Sequence, residues 1–438
     1  MLSLMRINAI PIPATTLLTA KDILYRLKAV DIKAVITDEE NIQKFKEASE
    51  NIEHPPILIT TDEYVRERAS ESPFVGERAS SDSPALIFFT SGTTGLPKMV
   101  LHTQASYPFA HRITGRFWLD LKADDLHFNL SDTGWAKAAW SSLFGPWHMG
   151  ACVFSFFRYG RFDPQATIEV LEKYSVTTFC GPPTAYRMMV KEWQGKIELK
   201  GLRHCVGAGE PLNKEVIELW REKTGLYIYD GYGQTETVNV LANLRCLWRA
   251  GSMGVPTPGF DVDVVDETGL PVTTGAEGDI AIRVKPVRPV GLFREYLGNP
   301  KATGETIKGD FYITGDRAYK DEDGFFWFIG RADDVILTSG YRIGPFEIES
   351  VLIEHPAVEE SAITASPDPL RGEVVKAFIV LTKGYEPSEY LVKELQDFVK
   401  NHTAPYKYPR KIAFVKELPK TVSGKIKRKE LKLKEFSP

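Results

Sequence analysis

Short apolar runs alternate with longer amphipathic stretches through the middle of the chain. Runs with the length and composition of buried strands lie at 177–180, 204–206 and 226–229. Between them, residues 182–193 and 213–223 have the spacing of helices; prolines open the first, and a glycine follows the second. Strand, helix and strand in series predict a parallel sheet with right-handed crossovers, and such sheets bind ligands beyond the carboxyl ends of their strands.

The pattern differs on the two sides of this central region. Residues 7–60 predict a small α/β unit, and residues 255–330, with short apolar runs between turns, predict a β-rich subdomain. Helices and short strands alternate in residues 333–438, and the basic run 427–434 is interpreted as a solvated tail. The predicted fold is therefore α/β: a large N-terminal domain of parallel-sheet α/β layers plus a β-rich subdomain at 1–332, and a small mobile C-terminal α/β domain at 333–438.

Composition excludes several classes of protein. A chain of 438 residues is long enough for two or more domains, and a net charge of −4 gives no reason to expect nucleic acid or a membrane surface as partner. The four cysteines lie far apart, which disfavours zinc and disulfide frameworks. The most apolar run, 151–157, is too short to span a membrane, and the N-terminus lacks the pattern of a signal or transit peptide. The cytoplasm is the predicted compartment, and no oligomeric state is predicted.

A polar turn after the apolar run 85–89 is the strongest candidate for chemistry. It consists of Thr90, Ser91, Gly92, Thr93, Thr94, Gly95, Leu96, Pro97 and Lys98. Its glycines let a ligand approach the backbone, its hydroxyls can donate hydrogen bonds, and Lys98 adds a positive charge, a combination that suits phosphate. It is not the nucleotide P-loop, because Pro97 stands in place of the second glycine and Met99 in place of the hydroxyl. With 104–118 predicted as a helix, the turn is predicted to join a strand to a helix.

Two further glycine-containing loops, 207–211 and 230–236, follow predicted strands of the central sheet, which predicts one nucleotide pocket on their common rim. The turn from Thr90 to Lys98 resembles the phosphate loop of the adenylate-forming superfamily, which comprises acyl-CoA synthetases, luciferases and peptide-synthetase adenylation domains. Further segments resemble motifs of this superfamily in the same order: 230–236, 314–316, 330–331, 339–342 and 419–425. The resemblance covers almost the whole chain from residue 85 onward and makes an ordinary Ser/Thr/Gly turn the weaker interpretation.

The resemblance implies a site for ATP and Mg²⁺. Residues 90–98 would hold the β- and γ-phosphates, Thr235 would bind the α-phosphate, and Glu236 would ligate the metal. The remaining contacts to the nucleotide would come from Gly209, Glu210, Pro211, Asp230, Gly231, Tyr232, Gly233, Gln234, Asp316, Arg331 and Arg342. Lys425 would bridge the substrate carboxylate and the α-phosphate, and it would be catalytic together with Thr235 and Glu236.

The resemblance also implies two successive arrangements of the C-terminal domain, with Asp333 as the hinge. In the second arrangement CoA would contact Ser339, Gly340, Tyr341, Arg371, Tyr408, Pro409 and Arg410. The acyl pocket would include Trp135, Lys137 and Trp140. A tryptophan on a helix is explained equally well by a place in the hydrophobic core, so both interpretations of Trp140 stay open.

Three segments, 181–189, 368–378 and 404–411, resemble medium-chain acyl-CoA synthetases, whose partners are a carboxylic acid, ATP and CoA. A bulky Trp140 and a polar Lys137 in the pocket favour short- or medium-chain acids, including branched ones. An aryl-CoA ligase and an incomplete, inactive relative that binds nucleotide are the alternatives. The chain begins at a point inside the family's N-terminal domain, so we expect exposed apolar surface, exposed strand edges and lower stability than in a chain extended upstream.

Overall fold

The computed structural model describes residues 1–50, 52–66, 76, 79–90, 97–156, 162–193, 195, 197–338, 341–369, 371–421 and 425–436. These residues form a large N-terminal α/β domain and a smaller C-terminal α/β domain, as predicted. The first elements are α1 (Leu2–Arg6), α2 (Ala20–Ala29), β1 (Ala34–Thr37), α3 (Ile42–Ser49), β2 (Ile57–Thr60) and α4 (Thr61–Arg66).

The predicted α/β unit at the start of the chain is present. Thr19 and Asp22 form a reciprocal capping box at the start of α2, which satisfies two backbone N–H groups that the helix leaves unpaired. Ile23 and Leu27, four residues apart, are buried on the inner face of that helix. Strands β1 and β2 pair in parallel and make a sheet of their own.

The phosphate-loop turn connects two strands, so the prediction that it joins a strand to a helix is wrong. The elements here are β3 (Pro84–Thr90), β4 (Lys98–Thr103), α5 (His111–Ile113) and β5 (Leu126–Asn129), with π-helical turns at 105–109 and 114–118. Strands β3 and β4 are antiparallel, and Thr90 lies opposite Lys98. The apolar run that follows Lys98 completes this ladder, and the helical segment begins only after it. Pro108 within that segment has no N–H to donate, which disfavours a regular α-helix.

The predicted parallel sheet forms the centre of the N-terminal domain. Its elements are α6 (Ala136–Ala138), a π-helical segment at 139–144, α7 (Gly145–His148), β6 (Cys152–Phe154), α8 (Pro164–Lys173), β7 (Thr178–Gly181), α9 (Pro183–Glu192), β8 (His204–Ala208), α10 (Lys214–Thr224), β9 (Ile228–Gly233), β10 (Asn239–Ala242) and β11 (Val255–Pro256). The strand order is β11-β10-β9-β8-β7-β5-β6. Strands β9, β8, β7, β5 and β6 run parallel, and β10 is antiparallel to both of its neighbours, β9 and β11. Phe179, Tyr186 and Trp220 are fully buried between sheet and helices. Gly225 ends α10 in the left-handed conformation, at a φ of 78°.

A second, antiparallel sheet confirms the predicted β-rich subdomain. Its elements are β12 (Val262–Val265), β13 (Glu277–Arg283), β14 (Glu295–Tyr296), α11 (Pro300–Glu305), β15 (Ile307–Lys308), β16 (Phe311–Lys320) and β17 (Phe326–Arg331). The order is β12-β13-β16-β15, with β17 on β16, and β14 pairs instead with β4. The β16–β17 ladder places Asp316 opposite Arg331. The β14–β4 pair places Tyr296 opposite Val100, next to the strand that leaves the phosphate loop.

The C-terminal domain has its own core between two helices and a three-stranded sheet. Its elements are β18 (Ile336–Thr338), β19 (Tyr341–Ile343), α12 (Pro345–Glu354), β20 (Val358–Asp368), β21 (Gly372–Leu381), α13 (Glu389–His402), β22 (Lys411–Phe414) and α14 (Arg428–Phe436), with 3₁₀ turns at 332–334 and 405–407. Strand β20 was not predicted. The interpretation of 427–434 as a solvated tail is wrong, because α14 packs on β20 and buries Leu431.

Candidate active site

Two loops at the carboxyl ends of β8 and β9 form the rim of the site. The parallel register places Gly207 beside Asp230 and Ala208 beside Gly231. Asp230 is buried and accepts a hydrogen bond from the Gly231 N–H at 2.9 Å. Burial raises the pKa of the Asp230 carboxyl well above its usual value. At Gly231 a Cβ would come within 2.5 Å of the Trp118 ring, so only glycine fits there.

Asp316 collects donors from three other residues that the sequence singled out. Tyr232 donates its hydroxyl to Oδ2 at 2.6 Å, and the Gln234 amide donates to the same oxygen at 2.7 Å. The Arg331 guanidinium donates to Oδ1 at 3.0 Å. Burial, together with the Asp316 charge, raises the pKa of Tyr232 well above its usual value, so its hydroxyl keeps the proton that it donates. A carboxylate has acceptor capacity beyond these three bonds.

Glu236 has a partner that the sequence analysis missed. Tyr296 donates its hydroxyl to Oε1 at 2.8 Å, and the Lys98 ammonium lies 4.6 Å from the centre of the Tyr296 ring. Burial raises the pKa of Glu236, while the Tyr296 hydrogen bond and the Lys98 charge lower it. Tyr296 carries no sequence signal beyond its place in the predicted β-rich region 255–330, and the pairing of β14 with β4 brings it here.

His102 is a second residue of the site that the sequence analysis missed. Its Nε2–H donates to the Thr235 carbonyl at 2.7 Å, and Nδ1 accepts from the Ser106 hydroxyl at 3.1 Å. Burial lowers the pKa of His102 to about 4, so the imidazole is neutral near pH 7. The strand that leaves the phosphate loop therefore holds the peptide that carries Thr235, directly before Glu236.

Lys137 lies at the carboxyl end of β8. Lys137 donates to the Ala208 carbonyl at 2.9 Å. Burial lowers the pKa of Lys137, and the charge of Lys425 acts in the same direction, whereas the carboxylates of Glu210 and Asp230 oppose it. Lys137 is therefore a buried cation at the strand ends, with the Glu210 and Asp230 carboxyl groups in its electrostatic surroundings.

Trp140 lies between the 230–236 loop and the hydrophobic core. Its side chain is 5% exposed, and its indole N–H donates to the Tyr107 hydroxyl. At Gly233 a Cβ would come within 2.7 Å of the Trp140 ring, so the indole packs directly on the 230–236 loop. Trp135, which is half-buried, precedes the first residue of α6.

Several predicted residues lie outside what the structure describes. These are Ser91, Gly92, Thr93, Thr94 and Gly95 of the phosphate loop and Ser339 and Gly340 of the CoA group. Tyr341 and Arg342 are described by their backbone alone, in β19 opposite Thr338 and Leu337.

The other predicted CoA residues lie at one end of the C-terminal sheet, where the parallel strands β21 and β22 begin. Arg410 donates to the Tyr408 hydroxyl at 2.7 Å, and its backbone N–H donates to the Val375 carbonyl of β21 at 2.9 Å. Pro409 between them is buried. Arg371 is exposed in the turn before β21, and its N–H donates to the Asp368 carboxylate at 3.0 Å.

Asp333 and Lys425 lie in exposed turns. Asp333 belongs to the 3₁₀ turn at 332–334, between the last strand of the β-rich sheet and β18. Lys425 stands at the end of a hairpin, where its N–H donates to the Thr421 hydroxyl at 3.1 Å. Its carbonyl accepts from the Thr421 N–H at 2.7 Å.

Among the residues that the structure describes, no group of three or more His, Cys, Asp or Glu side chains could hold a metal by itself. A single carboxylate does fit Mg²⁺ that is shared with substrate phosphates. Glu236 suits this role because a buried carboxylate is costly without a positive partner.

In the same described parts of the chain, no helix is both long and apolar enough to cross a bilayer.

Comparison with known proteins assigns the family. Residues 1–297 match the sequence model of AMP-binding enzymes, and residues 347–425 match that of the AMP-binding enzyme C-terminal domain. The mouse mitochondrial acyl-coenzyme A synthetase ACSM3 is 51% identical over 444 residues, which cover 99% of this chain and 76% of that protein. Human mitochondrial acyl-coenzyme A synthetase ACSM4 is 50% identical over 447 residues, with 98% and 76% covered.

A solved structure is similar over nearly the whole chain. The crystal structure of the anthranilate CoA ligase AuaEII in complex with anthranoyl-AMP has a TM-score of 0.87 at 30% identity, covering 98% of this chain and 83% of that one. It shares the arrangement of a large N-terminal and a small C-terminal domain. On sequence and structure together, the chain belongs to the AMP-binding enzyme family.

Proposed function

We propose that this chain is an AMP-forming acyl-CoA synthetase. It joins a carboxylic acid to CoA through an acyl-adenylate, and ATP is converted to AMP and diphosphate. Relatives at about half identity are named acyl-coenzyme A synthetases. The observation that carries the proposal is that the 230–236 loop brings the Asp316 cluster and Glu236 together, because a nucleotide and its metal must be held side by side.

Charge is the main obstacle in the first step. A carboxylate oxygen attacks the α-phosphorus, the bond to the bridging oxygen of the β-phosphate breaks, and diphosphate leaves. Both reactants are anionic, so oriented cations lower the barrier. Lys425 bridges the carboxylate and the α-phosphate as charge develops, and Lys137 keeps a second ammonium close by. The phosphate loop, ending at Lys98, holds the other phosphates.

The nucleotide is held by groups whose positions the fold already sets. Asp316 accepts hydrogen bonds from the ribose hydroxyls, and Arg331 lies beside it. Adenine lies along residues 209–211 and the Tyr232 segment. Glu236 would hold Mg²⁺, which would neutralise phosphate charge. Thr235 is oriented toward the α-phosphate by the hydrogen bond from His102 to its carbonyl.

The second step needs a different arrangement of the C-terminal domain. The CoA thiol attacks the acyl carbon, AMP leaves, and the thiol proton passes to solvent. Lys425 occupies the space through which the thiol must enter, so it has to leave before the second step. The C-terminal domain therefore rotates about a hinge at Asp333, at the domain boundary 332/333. Rotation brings residues 339–341 toward the pantetheine arm, with Arg371 and residues 408–410 near the nucleotide of CoA.

The acid is short- or medium-chain, and branched acids are included. Trp140 packs against the 230–236 loop and limits the length of the pocket, and Lys137 makes it more polar. An aromatic acid is the second candidate, because a similar solved structure is of an anthranilate CoA ligase.

One experiment tests these proposals together. AMP release is measured with ATP, Mg²⁺, CoA and a series of acids from acetate to decanoate, plus benzoate. A maximum among the aliphatic acids is expected, and a maximum at benzoate would favour the aryl-CoA ligase. Release of ADP in place of AMP would contradict the reaction, and no release with any acid would favour an inactive relative.

A cytoplasmic location is a separate proposal. The relatives are named mitochondrial, so cell fractionation is needed to test it.

A further inference from the structure

Arg428 begins α14, three residues after Lys425, and makes a two-point ion pair with Glu349 of α12. Its Nε donates to Oε1 at 2.9 Å, and its Nη2 donates to Oε2 at 2.6 Å. Nη1 lies 3.7 Å from the carboxylate of Asp334, next to the proposed hinge. Glu349 is 5% exposed, and Oε1 also accepts the Ile363 N–H at 2.8 Å. Such a paired fork fixes direction as well as distance.

Helix α12, which carries Glu349, also touches the N-terminal domain. The Ser350 hydroxyl donates to the Asn213 side chain at 3.4 Å. Pro345 lies against Gly330, where a Cβ would come within 3.3 Å of the proline ring. Helix α12 is therefore one part of the C-terminal domain that rests on the N-terminal domain in this arrangement.

The hairpin that carries Lys425 ends directly before Arg428. Its two sides are joined by the Lys427 N–H, which donates to the Pro419 carbonyl at 2.8 Å, and by the bridge between Lys420 and Ile426. The first turn of α14 is thus the fixed end of the hairpin. The charge of Lys425 also lowers the pKa of the Lys137 ammonium in the N-terminal domain.

We propose that Arg428 is a positioning residue for Lys425. Bound to Glu349, it orients the hairpin relative to α12, and α12 in turn relates the hairpin to the N-terminal domain. Arg428 acts through Lys425, so it supports acyl-adenylate formation and not the thioester step. The inference rests on the proposed function, and Arg428 lies beyond residues 347–425, which match the C-terminal family model.

The first test uses Arg428→Met and Arg428→Lys, with Glu435→Gln as the matched control. Glu435 forms an ion pair with Lys376 at 2.6 Å at the other end of α14, and both side chains are less than a fifth exposed. We expect Arg428→Met to lower acid-dependent pyrophosphate exchange by about 100-fold, since small displacements of a catalytic group cost about that much. Arg428→Lys should lose less, because it keeps the charge without the fork. Glu435→Gln should lower the thermal midpoint but not the rate.

A double-mutant cycle separates positioning from general damage. In a Lys425→Ala background, Arg428→Met should cause no further loss of pyrophosphate exchange, because the group that it positions is already gone. Thioester formation from synthetic acyl-adenylate should be unchanged in Arg428→Met. Losses that multiply in the cycle, or an equal loss in the thioester step, would overturn the inference. If Arg428→Met does not fold, Arg428→Lys takes its place in every measurement.

A measurement without turnover keeps the two proposals distinguishable. Amide hydrogen exchange across residues 419–427 should become faster in Arg428→Met and stay unchanged in Glu435→Gln. Equal rates in the two variants would overturn the positioning role. If the unaltered chain shows no pyrophosphate exchange with any acid, the proposed reaction fails, and the amide exchange still decides the inference.

Discussion

The two sides of the proposed active site are held in place in different ways. On the N-terminal side, Asp316 is buried on a long strand, and its three donors come from neighbouring strands and loops. On the C-terminal side, Lys425 is exposed at the end of a hairpin, which is fixed through Arg428. Burial and sheet register preorganise the proposed nucleotide contacts, whereas Lys425, the cation that we propose acts on the reacting atoms, lies on the domain that we propose rotates.

The largest expected effect comes from the movable side. Lys425→Ala should lower pyrophosphate exchange by roughly 100- to 1000-fold or more, on the scale of a lost group that stabilises developing charge. It should leave thioester formation from synthetic acyl-adenylate intact. Lys427→Ala, an exposed lysine of the same hairpin, is the control and should change neither step. Equal loss of both steps in Lys425→Ala would remove the contrast between the two sides.

Asp333→Pro should give the opposite result. Proline fixes φ at about −65°, which is within the range of a 3₁₀ turn such as 332–334, so the domain should adopt the arrangement seen here and resist rotation. We expect pyrophosphate exchange to persist while the thioester step falls on the order of 100-fold, because the reacting groups no longer align. Single-turnover measurements of each step check this. A normal thioester rate would show that no rotation at Asp333 is needed.

Tyr296→Phe tests the preorganised side through pH. The Tyr296 hydroxyl stabilises the ionised form of Glu236, which burial disfavours, so its loss should raise the pKa of Glu236 further. Mg²⁺ needs the ionised carboxylate. As pH falls, activity should therefore be lost about one pH unit earlier than in the unaltered chain, since one unit corresponds to about 1.4 kcal/mol.

The measurement for Tyr296→Phe is the adenylation rate as a function of pH at fixed, limiting Mg²⁺. Tyr319→Phe, whose ring stacks on Trp327 away from the site, is the control. A profile that does not move, or one that moves toward lower pH, would contradict the proposed metal role of Glu236.

The smallest effect concerns chain length. Trp140→Gly should open space beside the 230–236 loop and shift preference toward longer acids by about 0.8 kcal/mol for each additional buried CH₂. Because Trp140 also packs among buried aromatic rings, the thermal midpoint should fall as well. Rates across the acid series give the first effect, and calorimetry gives the second. A lower midpoint with an unchanged chain-length profile would place Trp140 in the core alone.

The sequence by itself determined the local elements and the parallel sheet. Apolar runs of strand length between amphipathic segments leave few other arrangements, and the connections between parallel strands are right-handed. It therefore also placed the 207–211 and 230–236 loops on one rim. The same reasoning failed after the phosphate loop, where the turn was predicted to lead into a helix at 104–118 and β4 was missed, and at α14. An apolar run can pair as a strand or pack as a helix, and its periodicity does not tell which partner it meets.

Only the tertiary structure decided which side chains meet. Tyr296 reaches Glu236 because β14 pairs with β4, and His102 reaches Thr235 because β4 lies beside the rim. Arg428 is paired with Glu349 because α14 packs back on β20 and α12. These residues are far apart along the chain, and each contact depends on strand pairing or helix docking that buries apolar surface elsewhere. Local spacing carries no record of such contacts, so the groups that orient Glu236, Thr235 and Lys425 become visible only in the folded chain.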